Sequence, residues 1–291
     1  GNDTISAGDG NDEIYGYASG ADNINGGAGN DYIEGAFGSD FIDGGDGDDF
    51  LEGGGAGNDT IYGGAGNDEI YAWDDASTIH GDAGNDYLFG AGDNDSIHGG
   101  DDRDSIRGGY RNDFIDGGEG NDTIFGTIGN DTIFGGIGDD QLNASEGNTG
   151  VLLGGDGNDT VTGNYSTLYG NDGDDYMGGS AGTIDGGAGN DTIEGTSNDI
   201  YGGTGSDQFV IFPWTDATTV IRDFEVANPD ERIDLTYFNI TDFASLAVAN
   251  DGNGNAVITL PNNQHLILTG VDAVSLSALN FTGLTNTGAL T

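Results

Sequence analysis

Nine residues recur along this chain, and that period constrains its fold more than any other feature. The unit is clearest as Gly-Gly-Ala-Gly-Asn-Asp-Tyr-Ile-Glu from Gly26 to Glu34, and it runs from Ala7 to Val210 as 23 successive units, three of them one residue longer and three two residues shorter. A fixed short period is the mark of a stacked-repeat architecture. Position eight is apolar in every unit, from Ile14, Ile24, Ile33 and Ile42 through to Ile193, Ile200 and Phe209. One apolar residue between two variable neighbours is the alternation of a very short strand with one buried face. The six Gly- and Asp-rich residues between strands read as a turn. Two units then make one circuit of about 18 residues, and circuits stacked at a strand spacing of about 4.8 Å bury a continuous aliphatic ladder between two parallel sheets. The expected fold class is all-β, a right-handed parallel β-roll solenoid over residues 1–210 with a β-rich cap over 211–291.

Composition says what such a coil must contend with. The 291 residues hold 43 Asp and 9 Glu against 5 Arg and no Lys, a formal charge of −47. Phosphate backbones demand a basic face, so nucleic acid is excluded as a partner. Hydrophobic residues still make up 34%, too many for a disordered acidic tail. A compact state carrying this charge repels itself unless cations neutralise it. The absence of cysteine removes disulfides and thiolate metal sites. No apolar run approaches the roughly 20 residues of a transmembrane helix. The chain starts at Gly1 inside a repeat, without a leader, which reads as a piece of a longer polypeptide.

The turns supply the cation chemistry. Their glycines allow positive φ and close backbone approach, leaving carbonyls directed into the gap between successive circuits. Where an Asp closes the turn, a gap offers hard oxygen donors suited to Ca²⁺, which takes 6–8 of them, main-chain carbonyls included. The pattern GGxGxDxUx is the nonapeptide of the RTX (repeats-in-toxin) calcium-binding family, which the chain resembles over residues 1–210.

Alternate units lie on opposite edges, and the edges differ. On one, the closing residues are Asp12, Asp31, Asp49, Asp68, Asp86, Asp104, Asp122, Asp140, Asp159, Asp175, Asp191 and Asp207, an unbroken row. On the other, Asp3, Asp22, Asp40 and Asp59 are followed by an aberrant unit, Ala72 to His80, then by Asp95, Asp113 and Asp131, after which the acid disappears. The later units there, at 163–169, 179–185 and 195–201, are the shortened ones, so this edge is expected to be calcium-free from about residue 144. Counting gaps between competent turns gives about 11 calcium sites on the first edge and about 5 on the second. The backbone donors are assigned to glycines of the clearest turns: Gly27 and Gly29, Gly45 and Gly47, Gly64 and Gly66, Gly118 and Gly120, Gly136 and Gly138, Gly155 and Gly157, Gly187 and Gly189.

Other features carry less. Outward strand positions hold columns of aromatics, including Tyr62, His80, His98, Asp116 and Phe134, either mutually shielding rings or a surface for sugars or protein. His80 and His98 fall on adjacent circuits without a third zinc ligand. Arg103, Arg107 and Arg111 are expected to pair with surrounding carboxylates. Gly178 to Gly182 reads GxSxG but lies inside a glycine-rich repeat rather than between a strand and a helix, so it fails the test for a nucleophile elbow. No enzymatic function is expected.

After Val210 glycine collapses, with 54 of 59 at or before Gly205. Strand-like segments are Gln208 to Phe212, Thr218 to Ile221, Ala256 to Leu260 and His265 to Thr269. Val220-Ile221-Arg222-Asp223-Phe224, Arg232-Ile233-Asp234-Leu235, Leu266 to Val271 and Leu279-Asn280-Phe281 look like the C-terminal block that follows RTX repeats in serralysin proteases and mannuronan epimerases. Arg222 and Asp223 are candidates for locking this cap. The resemblance implies that the C-terminal tail is a type I secretion signal, and that the chain is secreted, folds on external calcium and serves as a secretion and stability module. Two other readings fit the same residues: a self-assembling fibre or surface-layer subunit, and a carbohydrate-binding appendage of a polysaccharide-active enzyme.

Overall fold

The computed structural model describes residues 1–291 except 18, 74, 145–148, 181, 197–198, 214–216 and 285–291. Two compact units divide the chain, residues 1–156 and 157–291.

The first unit is a parallel β-solenoid. One of its sheets is built from six-residue strands, among them Thr4–Asp9, Asn23–Ala28, Phe41–Asp46, Thr60–Ala65, Thr78–Ala83 and Ser96–Asp101. Its other sheet interleaves with these along the chain and begins with the three-residue strands Glu13–Tyr15, Tyr32–Glu34, Phe50–Glu52 and Glu69–Tyr71. Each strand pairs in parallel with the one two elements along, one circuit away. Ile24 thus meets Ile42, Ile42 meets Ile61, and Ile33 meets Leu51. These position-eight side chains are the core, and Ile24, Ile33, Ile42, Leu51 and Ile61 are wholly inaccessible.

The six-residue strands are longer than the periodicity suggests, because they absorb the first half of what reads as turn. Gly27 pairs with Gly45, and Gly45 with Gly64, inside the ladder. A side chain there would strike the backbone: a methyl group on Gly45 would run into the Gly27 carbonyl, and Gly45 also sits at φ 111°. Lacking one, the glycines let adjacent circuits bond at strand distance.

The aberrant unit keeps the register. Thr78 pairs with Thr60, and Ser77 occupies the closing position, 4% exposed. Asp74 lies outside the described residues.

The second unit is built at first on the same kind of parallel coil, then changes character. Thr167–Asp172, Thr183–Ala188 and Asp199–Thr204 stack in parallel in one sheet, and Tyr176–Ser180, Thr192–Thr196 and Gln208–Val210 in the other. Thr218–Ile221 adds to the first and Arg232–Asp234 to the second. His265–Leu268 follows Thr218–Ile221 in parallel, whereas Ala256–Thr259 and Ala247–Asn250 add on antiparallel. Of the cap strands, Arg232–Asp234, Ala247–Asn250 and Phe281–Thr282 were not foreseen as strands. No helix among the described residues is long and apolar enough to cross a membrane.

Candidate metal centre

The closing Asp residues are the least expected part of the burial pattern. Asp31, Asp49, Asp68, Asp86, Asp104 and Asp122 are all 3% exposed or less, and so are Asp22, Asp40, Asp59, Asp95, Asp113 and Asp131 on the other edge. Carboxylates almost never go inside without a partner. Here one oxygen has one. Oδ1 accepts the main-chain N–H of the closing residue one circuit back: Asp12 N–H donates to Asp31 (2.8 Å), Asp31 to Asp49 (2.7 Å), Asp49 to Asp68 (2.8 Å) and Asp104 to Asp122 (2.8 Å). The second edge repeats the ladder, with Asp22 donating to Asp40 and Asp95 to Asp113. In the second unit Asp175 donates to Asp191 and Asp191 to Asp207.

The other oxygen has none. Among the described residues, Oδ2 of Asp12, Asp31, Asp49, Asp68, Asp86, Asp104, Asp122, Asp175 and Asp191 is buried without a hydrogen-bond partner, and so is that of Asp22, Asp40, Asp95, Asp113 and Asp131. A buried acceptor left alone costs about 1–3 kcal/mol, more when charged. The same unsatisfied acceptor recurs in fixed register along both rows.

Backbone oxygens meet these carboxylates. A methyl group added to Gly26 would collide with Asp31 Oδ2 and sit 2.6 Å from the Gly44 carbonyl oxygen, and one on Gly35 would lie 2.7 Å from Asp40 Oδ2 and 2.6 Å from the Gly53 carbonyl. A side-chain oxygen and a carbonyl of the next circuit therefore converge on one small space. The carbonyls of several glycines singled out from sequence lie against the glycine one circuit on, where a methyl group would strike them: that of Gly27 at Gly45, Gly29 at Gly47, Gly118 at Gly136, Gly136 at Gly155 and Gly187 at Gly203. Gly44, Gly53 and their counterparts at the first turn position were not anticipated as contributors, although most units show them as their leading glycine. No three His, Cys, Asp or Glu side chains gather at one point among the described residues. The donors are instead paired carboxylates and main-chain carbonyls, which suit a hard, flexible cation.

Burial shifts these acids. With no ion beside them, desolvation pushes Asp49, Asp86 and Asp122 up to about 6 and Asp59, Asp68, Asp95, Asp113, Asp175 and Asp191 up to about 7. Asp104 rises to about 8, burial again leading and the charges of Asp86, Asp122 and Asp102 adding to it. The donated N–H of the preceding circuit opposes the rise in each case.

Sequence comparison agrees with this geometry. The profile of the RTX calcium-binding nonapeptide repeat matches the chain in overlapping segments that span residues 1–51, 54–167 and 178–209. The chain belongs to the RTX calcium-binding nonapeptide repeat family. No curated protein matches it. Similar solved structures include a subunit of the mannuronan C5-epimerase of Azotobacter vinelandii, 19% identical with a TM-score of 0.24, covering 66% of this chain and 83% of that one. Another is the extracellular lipase LipA of Serratia marcescens, 19% identical with a TM-score of 0.22, covering 65% of this chain and 40% of the lipase.

The RTX ladder has two substitutes that sequence reasoning missed. Ser77 stands in for the Asp absent from the second edge: its hydroxyl accepts the Asp59 N–H at 3.3 Å, and its own N–H donates to Asp95 at 2.8 Å. Glu231 stands one circuit beyond the last nonapeptide. Arg232 pairs with Gln208 and its N–H donates to the Asp207 carbonyl, so Glu231 takes the register of Asp207. It is 3% exposed and is pushed up to about 7, chiefly by burial. The signal in the sequence was an acid directly before the alternating Arg232-Ile233-Asp234.

The remaining candidates fall into place individually. Asp223 accepts the N–H groups of Gly202 and Gly203, both at 3.0 Å, and Arg222 reaches Asp199 at 2.7 Å. His80 and His98 stack with ring centroids 4.9 Å apart. Arg111 lies 3.7 Å from Asp93, whereas Arg107 covers the Phe125 ring at 5.7 Å. Ser180, the serine of the GxSxG string, lies within a strand and donates to Asn164; its neighbour Ala181 is outside the described residues.

Proposed function

We propose that this RTX module is a non-enzymatic calcium-dependent folding element of an extracellular protein, with the 18 closing aspartates from Asp12 to Asp207 as its ligands. The observation that carries the reading is the periodic row of buried carboxylates in which one oxygen is held by the neighbouring circuit while, at Asp31, Asp49, Asp104, Asp113 and Asp191 among others, the second is without a hydrogen-bond partner. Calcium supplies positive charge and coordination to those oxygens and to the glycine carbonyls beside them. The expected loading is about 11 ions on the complete edge and about 5 on the interrupted one, where Ser77 and the shortened turns leave too few acids.

A site that needs roughly 0.1–1 mM calcium, as extracellular modules do, stays empty in cytosol and fills outside. The chain then crosses a membrane unfolded and folds on arrival, consistent with a cap over residues 211–291 that ends in a type I secretion signal. Far-UV circular dichroism with light scattering, on calcium-free protein and then in millimolar calcium, tests this. A disordered chain becoming a β-rich monomer is the expected result. Fibres or large assemblies would favour a structural role, and a fold indifferent to calcium would overturn the reading.

A further inference from the structure

One face of the first unit carries chemistry that the calcium rows do not use. Its strands Glu13–Tyr15, Tyr32–Glu34, Phe50–Glu52 and Glu69–Tyr71 bring four of the chain's nine glutamates to the outward positions. Among the described residues none of these four has an Arg or Lys within ion-pair distance. Glu34 and Glu52 are direct neighbours in the parallel ladder, a like-charge pairing that destabilises a sheet when nothing offsets it.

Rings fill the spaces between these acids. Tyr32 stacks on Phe50 at 5.4 Å and 5°, Phe50 meets Tyr71 at 5.6 Å, and Tyr71 stacks on Trp73 at 5.5 Å and 19°. The tyrosine hydroxyls donate to the same glutamates: Tyr32 to Glu52 at 3.0 Å and Tyr71 to Glu69 at 2.5 Å. Beside this spine, Glu34, Glu52 and Trp73, with Gly54 and Gly55, line an open cleft of about 280 Å³. Trp73 is 40% exposed there. A second cleft, of about 460 Å³, is lined by Glu13, Tyr32, Phe50 and Glu69 together with the closing aspartates Asp12, Asp31 and Asp49, and so belongs to the calcium row.

We propose that this face binds an extended basic polypeptide, with an arginine or lysine side chain seated in the Glu34–Glu52–Trp73 cleft. The charge pattern selects the occupant. Carboxylates without cationic partners alternate with aromatic faces, and a guanidinium is the group that stacks on a ring while pairing with carboxylates at its edge. A seated cation removes the repulsion between Glu34 and Glu52. An extended strand projects alternate side chains along one direction, which lets further basic residues follow the row of outward glutamates. A second copy of this chain, at −47, has the wrong sign.

Trp73 reports on its own cleft. The only other tryptophan is Trp214, so Trp214→Phe isolates the signal. The full chain in millimolar calcium and 0.15 M NaCl is titrated with acetyl-triarginine amide. The expected result is a saturable change in Trp73 fluorescence whose affinity falls about tenfold in Glu34→Gln/Glu52→Gln. The control pair Asp116→Asn/Glu119→Gln, which removes the same charge from the other sheet, should change it less than twofold. Trp73→Ala, read by calorimetry, provides an independent measure of the same loss. Equal losses in both double variants would reduce the effect to net charge and overturn the proposal. So would an unchanged affinity in Glu34→Gln/Glu52→Gln, or tighter binding of a neutral gluco-oligosaccharide, which would make the face a sugar platform.

Discussion

At the residue scale, the two oxygens of one carboxylate have opposite consequences. Asp104 Oδ1 accepts the Asp86 N–H at 2.9 Å, while Oδ2 is buried without a partner and the group is pushed up to about 8. Asp104→Asn keeps an acceptor for that N–H but removes the charge that burial penalises. In calcium-free buffer the variant should therefore be no less stable than the parent. In calcium it should lose one strong donor, about 1–3 kcal/mol of folding free energy, seen as a higher calcium midpoint by circular dichroism. Equal midpoints would show that Asp104 is not a ligand. The aspartates themselves were legible in the sequence because a fixed register survives 23 units. The division of labour between their oxygens was not, since nothing in GGxGxDxUx says that one oxygen is consumed by the circuit behind. Ser77 and Glu231 were hidden for a related reason: each fills the closing position without being Asp. Ser77→Asp supplies the missing acid beside Asp59 and Asp95, and should add one calcium to the stoichiometry measured by isothermal titration. A variant with the parent's count would mean that the degenerate turn around it, and not the missing carboxylate, prevents binding.

At the element scale, the turn glycines decide how closely circuits approach. Gly45 is at φ 111° and faces the Gly27 carbonyl, yet the equivalent position holds Asp82 at φ 73° and Asn171 at φ 81°. The backbone thus relaxes into the left-handed region when a side chain is present. Gly45→Ala should cost about 1–2 kcal/mol for that conformation, and Gly45→Asn less, because Asn tolerates it. Urea midpoints in saturating calcium would rank the three proteins. A costlier Asn would mean that contact with the Gly27 carbonyl, rather than φ, sets the penalty. The strand pattern was readable where the core residue marks it: Ile24, Ile42 and Ile61 pair where the period puts them. Strand length was not readable, because Gly44-Gly45 looks like turn by composition and behaves as strand by pairing. In the cap the period is gone. The antiparallel pair Ala247–Asn250 and Ala256–Thr259 surrounds the Asp251-Gly252-Asn253-Gly254 turn signal, but only Ala256–Thr259, with its β-branched Val257-Ile258-Thr259 run, is recognisable as a strand from the sequence.

At the scale of the whole molecule, the buried acids turn proton concentration into a second control on folding. Their carboxyls lie near 4 when unfolded and are raised in the calcium-free fold, to about 6 at Asp49, Asp86 and Asp122, about 7 at Asp68, Asp95, Asp113 and Asp191, and about 8 at Asp104. A raised acid stabilises the fold fully below its unfolded value, and that contribution is lost as pH climbs through the folded value. Calcium-free chain should therefore gain β structure as pH falls from 8 to 5, the gain starting as each group passes its folded value between about 8 and 6 and growing until the unfolded value near 4 is reached. Calcium binding has the reverse sign, because its ligands must be deprotonated, so the calcium midpoint should rise over the same interval. Sodium chloride separates this from simple relief of the −47 charge. Salt screens exposed charges within about 10 Å at 0.1 M but reaches buried ones much less, so 0.5 M NaCl at pH 8 should not reproduce the acid effect. Circular dichroism on calcium-free protein at pH 5, 6.5 and 8, with and without that salt, decides the matter. Folding induced by salt alone would assign the transition to the surface charge, and no gain of structure on acidification would show that the buried rows do not control the calcium-free state.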